Sequence, residues 1–132
     1  MPDPKTLREA LLELEERKGS KYHNIKTTRY DPKTGDVIAF DSHREANRYD
    51  ELCWMVKAGK ISDLRRQVRY ELLPSQKRAD GKTERAVYYI ADFVYNEHGV
   101  TIVEDAKGAK TPDYILKRKL LLWVHGITIR EV

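Results

Sequence analysis

Asp92 stands inside an otherwise apolar run, Tyr88-Tyr89-Ile90-Ala91-Asp92-Phe93-Val94-Tyr95, where a buried charge is costly unless another charge or a metal answers it. Further along, Val103-Glu104-Asp105-Ala106-Lys107-Gly108 sets Asp105 and Lys107 two residues apart, so on an extended segment their side chains share a face and Glu104 takes the other. Between these runs lies Asn96-Glu97-His98-Gly99, a hairpin-turn tetrad. Pairing through it places residues whose numbers sum to about 195 to 197 opposite each other, which brings Asp92 level with the Asp105 region. Two carboxylates and a lysine then meet at one sheet end. Adjacent carboxylates repel unless a cation or a shared proton sits between them, and hard oxygen donors suit Mg²⁺ or Mn²⁺. A neighbouring lysine can position an attacking water or neutralise charge on a pentacoordinate phosphate, so the chemistry this set suits is phosphodiester hydrolysis. If the register moves by one residue, Glu104 replaces Asp105 as the ligand.

The elements that must position these groups are legible in outline. Asp31-Pro32-Lys33-Thr34-Gly35-Asp36 is rich in turn formers and joins two short strands, 26–30 and 37–40. Ser42 opens a helix over 42–58 in which Ala46, Tyr49, Leu52, Cys53 and Val56 recur at helical intervals and Gly59 supplies the stop. Its first turn carries a third carboxylate, Glu45. Ser42-x-x-Glu45 is also a capping box, and a first-turn carboxylate near a strand end can serve either purpose. Strands follow at 68–73, 86–95 and 100–105, with a polar basic loop over 74–85. Thr111-Pro112 opens a helix that Gly126 ends, and 127–132 forms a last strand. Ahead of all this, Asp3 and Pro4 begin a helix to about Arg17 with Leu7, Ala10, Leu11 and Leu14 on one face, which serves core docking or a homodimer equally well. The sum is an α/β fold, a mixed sheet flanked by helices, with an extra N-terminal helix.

With 132 residues, 40% of them hydrophobic and 35% charged, the chain suits one folded domain rather than a disordered polymer. Its formal net charge of +4 leans toward polyanions. Cys53 is the sole cysteine, excluding an intramolecular disulfide and a cysteine-rich zinc site. His23, His43, His98 and His125 lack the spacing of a helical zinc pair, so a bound metal would be held mainly by oxygen. The start lacks the apolar core of a signal peptide and no stretch reaches the roughly 20 apolar residues of a membrane helix, which points to a soluble intracellular protein and no membrane. The arm from Lys18 to Arg29, including Lys21 and Lys26 with Tyr22 and His23, and the loop residues Lys77, Arg78 and Lys82 read either as phosphate contacts or as solvated basic segments.

Glu45 on a helix, Asp92 on a strand and Asp105-Ala106-Lys107 on the next strand resemble the restriction-endonuclease-like superfamily, with its PD-(D/E)XK pattern and αβββαβ core. More closely, KYHNIKTTRY, FDSHREANRYDEL, YIADFVY and IVEDAKG together look like a small phage and prophage family of unknown function, over residues 21–132, leaving 1–20 as the N-terminal helix and the start of the basic arm. The order of these residues is also similar to that in phage junction-resolving endonucleases and the transposase-associated endonuclease subunit. The resemblance implies that Glu45, Asp92 and Asp105 are metal ligands and Lys107 the catalytic lysine, with Ala91 standing where the superfamily pattern has proline. In related folds a basic or amide side chain of the second core helix approaches the scissile phosphate, which here points to Lys117; a solvated helix face is the other reading of that position. The implied protein is a Mg²⁺-dependent (or Mn²⁺-dependent) DNA endonuclease of phage or prophage origin in the bacterial cytoplasm, with branched or four-way-junction DNA among its substrates. The alternative is a catalytically silent nuclease-fold protein that binds DNA or joins a phage replication or packaging assembly.

Overall fold

Turn chemistry decides the first pair of elements. Asp31 Oδ1 accepts from the backbone N–H of Lys33 at 2.8 Å and of Thr34 at 3.3 Å, and Gly35 takes a φ of +75°. The chain reverses there, so that β1 (Thr27–Tyr30) pairs antiparallel with β2 (Val37–Phe40), Thr27 opposite Phe40 and Tyr30 opposite Val37. This computed structural model describes residues 27–31 and 33–132. The expected helix from Pro4 to Arg17, and Lys21 and Lys26 of the basic arm, lie outside the described residues.

Helix α1 (His43–Lys57) begins as its sequence requires, Ser42 Oγ accepting from the Glu45 N–H at 3.2 Å. It ends at Gly59, φ +71°, where the Lys60 N–H reaches Met55 O at 2.9 Å and the Gly59 N–H reaches Val56 O at 3.0 Å. By its contacts the chain divides into two units whose boundary falls inside this helix, between Tyr49 and Asp50. In the first unit the Phe40 and Tyr49 rings pack with centroids 5.2 Å apart.

The second unit is built on a four-stranded sheet: β3 (Ser62–Leu73), β6 (Val87–Glu97), β7 (Val100–Asp105) and β8 (Arg130–Glu131), lying side by side in that order. β3, β6 and β7 are antiparallel neighbours, and β8 runs parallel to β7. A parallel return needs a crossover, which α2 (Pro112–His125) provides. Thr111 caps α2 by accepting from the Tyr114 N–H at 3.2 Å, and Gly126 closes it in the left-handed region at φ +68°. Tyr114 and Leu121 of α2, with Ile129 beyond it, join Leu72, Tyr89, Ala91, Val94 and Val103 of the sheet in one buried cluster. Among the described residues the architecture is thus mixed α/β, with a mixed sheet and two helices. Among the described residues no helix is long and apolar enough to cross a membrane.

Three elements depart from the sequence expectation. β3 starts six residues early: its less exposed positions alternate through Leu64, Arg66, Val68, Tyr70 and Leu72, and the arginine in that row interrupts the apolar alternation; Asp63 and Gln67 take φ of +53° and +52°, and the register shifts between Ser62 and Arg65. The 74–85 segment holds a small hairpin, β4 (Gln76–Lys77) with β5 (Thr83–Glu84), closed by the Arg78 N–H to Lys82 O at 2.8 Å. The final strand shortens to Arg130–Glu131, because only the end of β7 offers it a partner.

Candidate active site at the open end of the β6–β7 hairpin

His98 and Gly99, at φ +53° and +79°, form the two-residue turn between β6 and β7. That turn fixes the register from Glu97 opposite Val100 to Phe93 opposite Glu104, where the ladder ends; carried one step further, the same register would set Asp92 against Asp105. Asp92 Oδ2 accepts from the Ala106 N–H at 2.9 Å, and its Oδ1 lies 3.5 Å from Gln67 Nε2. The β3–β6 ladder opens at this point: Arg66 pairs with Phe93 and Val68 with Ala91, while Gln67, between them, is in the left-handed region. Ala91 and Val94 both enter the buried cluster although an unbroken pleat would send residues three apart to opposite faces. The left-handed backbone at Gln67 lies at this opening, with its side-chain amide beside Asp92.

Asp105 is buried at 2% exposure. Its Oδ2 accepts from the Tyr89 hydroxyl at 2.6 Å, and its Oδ1 is buried with no hydrogen-bond partner. Lys107 Nζ stands 4.0 Å from that oxygen and 5.0 Å from the centroid of the Tyr114 ring, so one ammonium is held between a carboxylate and an aromatic face. Burial pushes the Tyr89 hydroxyl far above the usual phenol range and the Asp105 hydrogen bond and charge add to the shift, so Tyr89 remains a donor throughout the neutral range. A carboxylate with one oxygen satisfied and the other buried without a donor is undercompensated. Hard oxygens in that state are suited to a small divalent cation.

Glu104 lies elsewhere. It is fully buried and accepts from the Tyr95 hydroxyl at 2.7 Å, while Arg130 Nη1 donates to Tyr95 Oη at 3.1 Å and to Glu97 Oε2 at 3.3 Å. The register, carried that one step, therefore puts Asp105, and not Glu104, level with Asp92. Burial raises the pKa of Tyr95, with Glu104 contributing in the same direction, and burial likewise raises that of Tyr70. A folded pKa above the unfolded one means that the folded state holds its proton longer, so this stability is complete below about pH 10 and is lost as pH rises beyond it. A titration of phenolate absorbance run beside circular dichroism is expected to show both tyrosines holding their protons to higher pH in the folded chain than after unfolding. Ionisation of all eight tyrosines in the folded chain at the ordinary phenol midpoint would refute it.

The remaining expected residues are placed as follows. Glu45 is buried in the first turn of α1, within the first unit, its N–H on Ser42 Oγ as the forward half of a capping box. Lys117 pairs with Asp113 one helical turn away at 3.7 Å. Arg78 pairs with Asp80 at 3.0 Å and Glu84 at 3.7 Å, whereas Lys77 and Lys82 are exposed on the β4–β5 hairpin. Among the described residues no three His, Cys, Asp or Glu side chains form a ready metal-binding cluster; Asp92 and Asp105 are a pair. Sequence reasoning missed Tyr89, Tyr114 and Gln67. Both tyrosines are part of the buried cluster, and nothing in the sequence marks the break that brings Gln67 to Asp92.

The described residues thus form a mixed α/β fold with Asp92, Asp105 and Lys107 near one end of the β6–β7 hairpin. The chain belongs to the family described as "Protein of unknown function (DUF1064)", whose model matches residues 19–125, a span that includes Glu45, Asp92, Asp105 and Lys107. No curated protein and no solved structure matches the chain significantly.

Proposed function

We propose that this protein is a metal-dependent DNA endonuclease of the restriction-endonuclease-like kind, with Asp92 and Asp105 holding Mg²⁺ or Mn²⁺ and Lys107 as the catalytic lysine. The observation that carries the reading is the buried Oδ1 of Asp105, without a hydrogen-bond partner, with an ammonium 4.0 Å away and Asp92 anchored to the very next backbone amide. These oxygens fit a hard cation, which would polarise the scissile phosphate and lower the pKa of an attacking water. The chain's own contributions are distinct from that. The Ala106 amide and the open ladder hold Asp92 in place; the Tyr114 ring and Asp105 hold the Lys107 ammonium where charge develops on the phosphate. Lys77 and Lys82 supply positive charge for the DNA backbone, as do Lys21 and Lys26 of the arm. Branched or junction DNA, cut by a homodimer encoded by a phage or prophage and acting in the bacterial cytoplasm, is the most specific form of the proposal.

Incubating the protein with duplex, flap, mismatched and four-way DNA is expected to give cleavage with Mg²⁺ or Mn²⁺ that stops in excess EDTA and returns when metal is restored. Undiminished cleavage in EDTA would remove the metal from the mechanism. DNA binding without cleavage of any of these substrates would favour the silent binding or assembly protein instead.

A further inference from the structure

We infer that Tyr89 is a positioning residue for the cation site: its hydroxyl holds one oxygen of Asp105 so that the other faces Lys107 and is presented to the metal. The inference rests on the reading that Asp105 is a metal ligand, and it assigns a role to a side chain otherwise explained as core.

Tyr89 is 3% exposed and packs in the cluster with Ala91, Val94, Val103 and Leu121. Burial alone would be served equally well by phenylalanine, so the hydroxyl needs its own explanation. It donates to Asp105 Oδ2 at 2.6 Å, the short distance of a charge-assisted bond. The terminal torsion of an aspartate is soft, so without a fixed donor the carboxylate plane turns at little cost. With the donor, Oδ2 is committed and Oδ1 remains buried without a hydrogen-bond partner, 4.0 Å from Lys107 Nζ. A ligand orientation set by a neighbour's hydrogen bond is the general way in which proteins sharpen metal sites, and losing such a neighbour typically weakens metal affinity or activity by about 10- to 100-fold.

The other face of the same strand offers an internal control. Tyr95 donates to the buried Glu104 Oε1 at 2.7 Å, the same bond between the same chemical groups, directed away from Asp92. If these hydroxyls serve stability alone, Tyr89→Phe and Tyr95→Phe will behave alike.

The experiment is a calorimetric titration of Mn²⁺ into the full chain and each variant, without DNA. Tyr89→Phe is expected to weaken Mn²⁺ binding by about 10- to 100-fold, with Tyr95→Phe binding as the parent does. Cleavage by Tyr89→Phe should be slow at low Mn²⁺ and recover at high Mn²⁺. Should Tyr89→Phe not fold without metal, its unfolding midpoint across a Mn²⁺ series yields the same affinity, because a ligand that binds only the folded state stabilises it by mass action. If the parent binds Mn²⁺ and Tyr89→Phe binds it equally well, or both variants weaken equally, the positioning role is overturned and the metal site stands. If the parent takes up no Mn²⁺, the metal site and the role of Tyr89 fall together.

Discussion

Asp105→Ala is expected to reduce cleavage by at least about a thousandfold, beyond the roughly 10- to 100-fold typical of losing an outer-shell partner, while the chain remains folded. The two halves of that expectation have separate causes. Asp105 offers a buried oxygen with no hydrogen-bond partner at the hairpin end, so its removal deletes one of the two carboxylates proposed to hold the metal and leaves Asp92. Folding is little affected because two opposing effects accompany the deletion. The Tyr89 hydroxyl loses its acceptor, at a cost of about 1–3 kcal/mol for an unsatisfied buried donor. Against that, the desolvation penalty of a nearly buried carboxylate is relieved, and Lys107, which loses its ion pair, is exposed enough to turn to water. Cleavage kinetics, Mn²⁺ titration and denaturant unfolding on the same preparation separate these effects. Asp105→Ala cutting DNA as fast as the parent in Mg²⁺ or Mn²⁺ would end the assignment. Asp92→Ala is expected to lose cleavage as well, with more local disturbance, because Asp92 also satisfies the Ala106 amide.

What could be read in advance was whatever local chemistry decides. The bounds of α2 follow from Thr111, Pro112 and Gly126, each acting within one turn of the helix end it marks. The β6–β7 register follows from a two-residue turn at His98-Gly99, so the placing of Asp92 level with the Asp105 region was accessible from numbering alone. The start of β3 was not, because Asp63, Arg65, Arg66 and Gln67 are polar, so the less exposed row Leu64, Arg66, Val68 is interrupted by a charge, and the left-handed backbone at Asp63 and Gln67 carries no sequence signal. The same irregularity conceals the fine structure of the site. By simple parity Tyr89 points away from Asp105, and only the break near Asp92 lets Tyr89, Ala91 and Val94 share one cluster and the Tyr89 hydroxyl reach the carboxylate. Lys117 shows the converse: its helical position was read correctly, but its partner Asp113 is an ordinary neighbour four residues away.

Lys107→Ala is expected to lose cleavage by about 100- to 1000-fold, the range seen when one charge-stabilising donor is removed from a reacting centre, with a metal response opposite to that of Asp105→Ala. Lys107 holds a positive charge 4.0 Å from Asp105 Oδ1, and a cation entering between the carboxylates must do so against that charge. Deleting the ammonium removes the repulsion, so Mn²⁺ should bind as tightly as in the parent or more tightly, while the phosphate loses its stabilising charge. A merely structural lysine would behave differently: the loss of its contacts to Asp105 and the Tyr114 ring would loosen the site, and metal affinity would fall along with activity. Affinity for DNA should change little, since one ammonium is a small part of a backbone interface spread over many charges. Retained metal and DNA binding with lost turnover would mark Lys107 as acting on the reacting phosphate. Parallel loss of metal binding and turnover would reduce it to a brace for Asp105.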